Sequence, residues 1–324
     1  MPPVLSVLMP VFNDAEYVQS AVDSVLAQSF RDFELIIIND GSTDETPAIL
    51  EAAAERDDRI RLYHQENQGI SFTRNCLIER ARGRFIANMD GDDVSVPERF
   101  DVQIKHLHQY PKVDITGTQL AYIDSKGRPT DKSVTTTPTD DASIAWRLLF
   151  GMCVFHATWC VRREVLQSEK YSSKCSVGED YDLIARLSRS CVIDNVNLPL
   201  YKVRESSSRI SNEKADEQSA TAHAVMHREH RVLLGDDYDR VLSEALIQDQ
   251  AGKLDCVWYA TLLAVRLANR NGYGSRQRAI ILRRLYDQIA CSGDANMFHK
   301  AAAFVLGHAH QSLHTIRAAL PIDL

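Results

Sequence analysis

Apolar runs that alternate with amphipathic segments over the first ninety residues constrain the fold more than any other feature of this chain. The run LSVLMPVF at 5–12 is followed by Val18, Ala21, Val22 and Val25, which are spaced as on one face of a helix. Three later runs, also predicted to be strands, are ELIIIND at 34–40, RIRLYHQ at 59–65 and RFIANMD at 84–90. Repeated strand–helix units of this kind predict a parallel sheet.

The segments between and after these strands predict the helices and the rest of the sheet. Ser42 stands three residues before Glu45, a capping-box pattern that predicts a helix over 47–55. A further helix is predicted over 71–81. From 114 to 204 the apolar runs are irregular, which indicates additional strands, some of them antiparallel. We therefore expect an α/β fold with a mixed sheet flanked by helices.

A change of composition divides the chain. The polar stretch ESSSRISNEKADEQS at 205–219 follows the last predicted strand. Residues 220–320 are rich in Ala, Leu and Arg at helical spacing. The sequence therefore predicts an α/β domain at 1–205 and an all-helical C-terminal appendage at 206–324.

Composition excludes several classes of function. Seven cysteines without any Cys-x-x-Cys pair indicate reduced thiols, and they argue against a zinc site or a disulfide framework. The net charge of −7 disfavours nucleic-acid binding. The chain opens without the charged and apolar regions of a signal peptide, and no stretch reaches the ~20 apolar residues that cross a bilayer. We expect a cytoplasmic protein.

Three carboxylates, Asp90, Asp92 and Asp93, directly follow the fourth apolar run. Carboxylates are almost never fully buried without a partner, so the cluster needs water or a cation. Ligands of a parallel sheet bind beyond the carboxyl ends of its strands, where Asp40 also falls. Clustered Asp oxygens suit Mg²⁺ or Mn²⁺ together with substrate phosphates. The alternative is that the acids cap a helix that starts near Pro97, and the Asp-x-Asp pattern alone leaves both open.

Five ordered motifs carry a resemblance to a known family. They are PVFND at 10–14, INDGSTDET at 38–46, NQGISFTRN at 67–75, ARGRFIANMDGDD at 81–93 and GEDYDL at 178–183. The set resembles family 2 of the glycosyltransferases over roughly residues 4–204. The resemblance implies a GT-A fold, whose mixed sheet is Rossmann-like. It also implies an inverting transfer of a sugar from a nucleotide-diphosphate sugar to an acceptor hydroxyl.

The resemblance implies roles for individual residues as well. Contacts with the donor nucleotide are implied for Pro10, Val11, Phe12, Asn13, Asp40, Arg74, Asn75, Asp90 and Gly91. Asp92 is implied as the ligand of a divalent metal, Mn²⁺ or Mg²⁺. Asp180, next to Glu179, is implied as the catalytic base. By themselves, Glu179 and Asp180 would be read as an acidic pair in the first turn of a helix.

The chemistry of such a transfer calls for the same parts. Expelling a nucleoside diphosphate from a sugar carbon leaves negative charge on phosphate oxygens, which a bound cation stabilises. An inverting displacement is in-line, so a base must take the acceptor's proton from within ~3 Å on the opposite face of the sugar. An aspartate is ionised at pH 7 and can accept that proton.

One position departs from the family pattern. Many relatives carry a histidine after the last strand, whereas this chain reads YKVRESSS with Arg204 at that place. An arginine can act as a cation toward phosphate but has no lone pair with which to ligate a metal. Arg204 is therefore a candidate for a contact with the donor's diphosphate.

The resemblance also implies partners. These are a nucleotide-sugar donor, with UDP favoured, and a glycan, lipid-linked or protein acceptor. A hexosyl- or N-acetylhexosaminyltransferase of bacterial cell-surface polysaccharide or glycan synthesis is expected. Basic amphipathic spacing at Arg276, Arg278, Arg283 and Arg284 leaves open a peripheral contact with the cytoplasmic membrane, and an oligomer is left open too. The alternative is a protein of the same fold that binds a nucleotide sugar, or acts as a scaffold, without catalysis.

Overall fold

The computed structural model of the chain describes residues 2–175, 177–205 and 214–235, and the single residues 264, 266, 267, 273, 274, 277, 278, 280 and 281. The strands among these residues are β1 Leu5–Val11, β2 Phe33–Asp40, β3 Ile60–Gln65, β4 Phe85–Asn88, β5 Val94–Ser95, β6 Ile115–Ile123, β7 Cys160–Arg162 and β8 Ile193–Arg204. The helices are α1 Val18–Leu26, α2 Thr46–Arg56, α3 Ile70–Arg80, α4 Arg99–Gln109, α5 Asp141–Leu148, α6 Arg163–Ser168, α7 Glu179–Leu187 and α8 Ala215–Leu234, with a 3₁₀ helix at His156–Thr158.

These strands form one sheet in the order β3–β2–β1–β4–β7–β6–β8–β5. The first four run parallel to one another. β7 is antiparallel to both β4 and β6, and β5 is antiparallel to β8. The predicted mixed sheet is confirmed. Its parallel half comes from the four runs at the start of the chain, and its antiparallel pairings involve strands after the acid cluster.

The parallel half makes the core because its central strands are apolar on both faces. Every residue of β2 is buried, and so is every residue of β1 except Pro10. Helix α1 buries the predicted stripe of Val18, Ala21, Val22 and Val25. Strands buried on both faces leave their polar groups mainly at their ends. Ligand-binding side chains therefore gather at the carboxyl edge of the sheet.

The predicted capping box of Ser42 and Glu45 is wrong. Helix α2 begins at Thr46, and Glu45 at its N-cap makes no side-chain bond to the helix. Instead, Asp44 Oδ1 accepts the Thr46 N–H at 3.0 Å, and the Ser42 hydroxyl accepts the Asn13 N–H at 2.9 Å. Ser42 is recruited by a neighbouring loop, a tertiary contact that local spacing does not reveal.

The chain divides into two compact units. One comprises Met1–Thr139 and Met152–Ala222, and the other comprises Asp140–Gly151 and His223–Leu324. The predicted domain boundary between 205 and 206 stays a prediction, and most of the predicted helical appendage lies outside the described residues.

The proposed membrane contact of the C-terminal region also falls mainly outside the described residues. Arg276, Arg283 and Arg284 are not among them, whereas Arg278 is, in helical conformation. Within the described part of the chain, no helix combines the length and the apolar character that crossing a membrane requires.

Candidate active site

The loops that follow β1 and β2 are joined at the carboxyl edge of the sheet. The predicted donor contacts Pro10, Val11, Phe12 and Asn13 lie at the end of β1 and just beyond it. Asn13 has φ 54°, a left-handed conformation that asparagine tolerates. Its N–H donates to the Ser42 hydroxyl, and its side-chain oxygen accepts the Thr43 N–H, both at 2.9 Å. Asn13 therefore braces this edge, and Phe12, 46% exposed, presents an aromatic surface there.

Asp40 ends β2 and is held by the segment that leads into α3. Its carboxylate accepts the backbone N–H groups of Gln68 at 2.9 Å and Gly69 at 3.0 Å, and the side-chain amide of Gln65 at 2.7 Å. Three donors fix a buried carboxylate without any cation. The result is a rigid acceptor at the edge where the family resemblance implies contacts with the donor nucleotide. The contact of Asp40 with that nucleotide stays a prediction.

The acid loop, residues 90–93, follows β4 and is anchored at both ends. The Asp90 N–H donates to the Tyr201 hydroxyl at 3.1 Å. Asp93 is fully buried, and its Oδ1 accepts the Arg204 N–H at 2.8 Å. Asp92 lies between these anchors and is partly exposed. Fixed ends and a partly exposed middle acid suit a loop that presents Asp92 to a ligand.

The alternative in which these acids cap the next helix is wrong. Helix α4 begins at Arg99, and its N-cap residue, Glu98, makes no side-chain bond to the helix. Five residues lie between Asp92 and Glu98, and they include the short strand β5. The acid loop therefore owes its composition to something other than the helix terminus.

Gly91 lies against Asp14, a residue to which the sequence motifs assigned no role. A Cβ at Gly91 would lie 2.7 Å from Asp14 Oδ2 and 3.4 Å from Val11 Cγ2, so a larger residue would displace the carboxylate. Burial, and then the charges of Asp92 and Asp90, raise the pKa of Asp14 to about 7. The sequence signals for Asp14 were its place at the end of the PVFND motif and its position just beyond the first strand.

The carboxylates of this loop fit a divalent metal only in part. The described residues contain no group of three His, Cys, Asp or Glu side chains that could hold an ion alone. One or two carboxylates with phosphate oxygens is, however, the usual environment of Mg²⁺. Asp92 and Asp90 lie near enough to Asp14 for their charges to raise its pKa. Asp92 therefore fits Mg²⁺ or Mn²⁺ when a diphosphate supplies the other ligands.

Arg74, on α3, joins the acid loop to the acidic pair at the start of α7. Its Nη1 pairs with Glu179 Oε1, and its Nη2 lies 3.7 Å from Asp90 Oδ1. The side chain is only 12% exposed. Burial acts against the charge, but the surrounding charges, Glu179 first and then others including Asp90 and Asp180, raise the pKa of Arg74. The guanidinium is therefore charged at every working pH.

Asp180 is the second residue of α7, where Gly178 at φ 75° turns the chain into the helix. Burial, and then the charge of Glu179, raise the pKa of Asp180 to about 6, while Arg74 opposes the shift. Its Oδ1 accepts the Tyr181 N–H at 2.7 Å. A carboxylate with this pKa is mostly ionised at pH 7 and is a stronger base than an ordinary aspartate.

Asn75, predicted to lie near the donor, is paired with the backbone of Tyr171. Its Nδ2 donates to the Tyr171 carbonyl at 2.9 Å, and its Oδ1 accepts the Tyr171 N–H at 3.0 Å. The donor contact of Asn75 stays a prediction, and its pairing with Tyr171 is a role that sequence reasoning missed. No sequence signal pointed to it, because the partner is a backbone 96 residues away.

Arg204 is buried at the end of β8 and its donors meet backbone carbonyls. Nε donates to the Asp92 carbonyl at 2.8 Å, and Nη1 donates to those of Asp124 and Ser125, both at 3.1 Å. The guanidinium also lies 4.6 Å from the ring centre of Tyr17. The predicted contact between Arg204 and a diphosphate stays a prediction. What the structure adds is that Arg204 supports the backbone of the acid loop.

The fold and this edge define a class of protein. The sheet, flanked by helices and carrying an acid loop after its fourth strand, is the GT-A transferase architecture. Staphylococcus aureus TarS 1-349, solved in complex with UDP, matches 96% of this chain and 93% of its own, at 17% identity and TM-score 0.56. Mannosyltransferase PcManGT from Pyrobaculum calidifontis, solved with GDP-Man and Mn²⁺, matches 98% of this chain and 85% of its own, at 15% identity and TM-score 0.52.

The sequence comparison gives the family. The model of glycosyl transferase family 2 matches residues 6–168, half of the chain, and the chain belongs to that family. One relative is the O-antigen biosynthesis glycosyltransferase WbnJ of Escherichia coli, 31% identical over 189 residues, which are 58% of this chain and 73% of WbnJ. The chain spans about half, or less, of the length of other curated relatives that it matches.

Proposed function

We propose that this protein transfers a sugar, with inversion, from a nucleotide-diphosphate sugar to an acceptor hydroxyl. The observation that carries the proposal is the bridge made by Arg74, which contacts Asp90 of the acid loop on one side and Glu179, next to Asp180, on the other. An in-line transfer requires two parts, a loop that binds the donor and a basic carboxylate. Here the buried guanidinium of Arg74 connects the acid loop to the acidic pair that contains Asp180.

In this mechanism the donor lies along the carboxyl edge of the sheet. The carboxylate of Asp40 accepts a hydrogen bond from the nucleobase beside Phe12, and Asp90 contacts the ribose. Arg74 and the partly exposed Asp92 meet the diphosphate, where a bound divalent cation would neutralise the leaving group's charge. Arg74 suits this place because a guanidinium can bind phosphate oxygens with two donors at once.

Asp180 acts on the other reactant. As the acceptor oxygen forms its bond to the anomeric carbon, its proton passes to the Asp180 carboxylate. The bond to the diphosphate breaks on the opposite face, and the electron pair leaves with the phosphate oxygen. The raised pKa of Asp180, about 6, brings the base closer to the working pH, where proton transfer is most effective.

The choice of donor and pathway is supported by the relatives. TarS is described in complex with UDP, which favours a UDP-sugar, and PcManGT with GDP-Man and Mn²⁺, which favours a divalent metal. The description of WbnJ, O-antigen biosynthesis, favours a role in the synthesis of a bacterial surface polysaccharide. A cytoplasmic location, with or without a peripheral membrane contact, belongs to the same proposal.

Calorimetry of UDP binding with and without Mn²⁺ tests the donor side. Asp92→Ala is expected to remove the Mn²⁺-dependent part of the affinity, about 10-fold or more, because the metal loses its main protein ligand. Asp58→Ala, an exposed aspartate before β3, is the matched control and should bind like wild type. UDP binding that ignores both Mn²⁺ and Asp92 would exclude the metal role, and absence of UDP binding would redirect the search to other nucleotides.

A transfer assay tests the catalytic side. UDP release from a UDP-sugar that rises on addition of an acceptor glycan identifies a transferase. Donor binding without any release, across a panel of UDP-sugars and acceptors, would instead identify the catalytically inactive binding protein of the same fold.

A further inference from the structure

The segment that leads to the acidic pair is fastened to one face of α3. The Ser71 hydroxyl donates to the Cys175 carbonyl at 3.0 Å, and the Asn75 side chain pairs with both backbone groups of Tyr171. Ser71 and Asn75 stand one helical turn apart, on the same face as Arg74. The backbone of Tyr171 therefore keeps a fixed position relative to the helix that carries the bridging arginine.

The side chain of Tyr171 reaches the end of the strand that carries the acid loop. Its hydroxyl lies 2.6 Å from His156 Nε2, and the side-chain amide of Asn88 donates to the His156 carbonyl at 3.2 Å. Asn88 is the last residue of β4, two residues before Asp90. Tyr171 is thus tied to α3 through its backbone and, through His156, to β4 by its hydroxyl.

The protonation of these groups follows from their burial. Burial raises the pKa of the Tyr171 hydroxyl, so it keeps its proton and can donate it. Burial, and then the charge of Arg74, lower the pKa of His156 well below its usual value, so the ring is neutral and Nε2 can accept. The Tyr171–His156 contact is therefore a hydrogen bond between neutral groups that persists over the ordinary pH range.

The guanidinium of Arg74 packs over the ring of Tyr171. Its guanidinium carbon lies 5.6 Å from the ring centre of Tyr171, within the range of a cation–π contact. Tyr171, Arg74, His156, Asn88 and Asp90 line the same small cavity. The residue that anchors the catalytic segment is thus packed against the residue that bridges the acid loop and the acidic pair.

We propose that Tyr171 is a positioning residue, which sets the placement of Asp180 relative to the acid loop. The inference rests on the proposed function. In-line transfer depends on placement, and a misplacement of about 1 Å can cost roughly 100-fold in rate. Tyr171 is only 4% exposed and holds α3 and β4 at once. A neighbouring ion pair, Lys170 with Glu79, is about half exposed at both side chains, and such exposed pairs contribute little.

Tyr171→Phe tests the proposal, because it removes one hydroxyl and leaves the ring under Arg74 and the backbone pair with Asn75. The expected result is a kcat about 10-fold lower, with the donor KM and the Kd of UDP within about twofold of wild type. Tyr110→Phe, at an exposed tyrosine, is the matched control and should change neither. A Tyr171→Phe variant that loses UDP affinity as much as kcat, or that keeps the wild-type kcat, would overturn the proposal.

Hydrogen exchange supplies a readout that does not depend on turnover. Amides in the segment 171–180 should exchange faster in Tyr171→Phe, and faster still in Asn75→Ala, while those of β1 and β2 keep wild-type protection. Wild-type exchange of this segment in both variants would overturn the proposal. If the wild-type protein shows no transfer, the proposed function fails, and the exchange data still decide whether Tyr171 anchors the segment.

Discussion

The two sides of the site are built in different ways. On the donor side, Asp40 ends β2 and Asp90 follows β4 by two residues, so the backbone of the sheet places both carboxylates. On the proposed catalytic side, Asp180 lies in the first turn of α7, and the segment that leads into this helix is held by the α3 side chains Ser71 and Asn75. Strand ends position the carboxylates of the donor side, whereas side-chain hydrogen bonds position the catalytic side. The two sides should therefore respond differently to substitution.

The difference extends to electrostatics. The donor side gathers carboxylates, and burial, followed by the charges of Asp92 and Asp90, raises the pKa of Asp14. The catalytic side already has its cation, since Arg74 pairs with Glu179. In the proposed function, the donor side would bind the charged diphosphate with its cation, whereas the catalytic side would hold Asp180 as the base, with a raised pKa. We expect substitutions of the donor-side carboxylates to change the affinity for UDP, and substitutions of Asp180 to change kcat.

The largest effect is expected for Asp180→Asn. An amide cannot accept the acceptor's proton, and loss of a general base typically costs about 10²–10⁴-fold, so kcat should fall roughly 1,000-fold. The Kd of UDP, measured by calorimetry, should stay within about twofold. Asp58→Asn serves as the control for removal of a surface charge. More than a tenth of the wild-type kcat in Asp180→Asn would assign the base to another residue, with Glu179 the first to test.

The next effect, on the donor side, comes from Arg204→Lys. A lysine cannot serve the carbonyls of Asp92, Asp124 and Ser125 together, and unsatisfied buried acceptors cost about 1–3 kcal/mol each, so the free energy of unfolding should fall by about 2 kcal/mol. Chemical denaturation measures this change. UDP affinity, measured well below the melting temperature, should change little, because in this role Arg204 contacts backbone carbonyls and makes no contact with the donor.

The same variant separates two roles of Arg204. If the arginine contacts the diphosphate, as its position after the last strand suggests, UDP affinity falls about 10-fold while stability stays near that of wild type. Arg128→Lys is the matched control, since Arg128 lies on the turn that contains Asp124 and Ser125 but its side chain is 69% exposed. It should shift the free energy of unfolding by less than about 0.5 kcal/mol.

Much of the donor side could be predicted from the sequence because its determinants are local. The apolar runs at 34–40 and 84–90 predicted β2 and β4 to within two residues at either end, and the polar residues that follow such runs must lie at the carboxyl edge. The stripe of α1, with Val18 and Val22 among its buried members, followed from helical periodicity. In each case the pattern lies within one element.

The ties of the catalytic side could not be predicted in this way. Asn75 pairs with a backbone 96 residues away, and Ser71 with one 104 residues away. A backbone carbonyl has no side-chain identity, so no motif marks the partner. Ser42 shows the same limit within a motif, because its hydroxyl serves Asn13 instead of its own helix. The residue types at strand ends indicate which ligands a site could bind. Hydrogen bonds between distant parts of the chain decide which of those side chains remain available to a ligand.

The smallest effect, and the sharpest comparison of the two sides, is in the pH dependence. Because burial and then Glu179 raise the pKa of Asp180 to about 6, the base gains a proton as the pH falls through that value, and transfer is lost on the acid side. At saturating donor, kcat/KM for the acceptor should be level above pH 7 and fall about 10-fold per unit well below pH 6. The residual rate of Asp180→Asn should lack this fall. Saturating donor removes the effect of protonation on donor binding from the measurement, so an acid limb that persists in Asp180→Asn would come from another group and would contradict the assignment of the base.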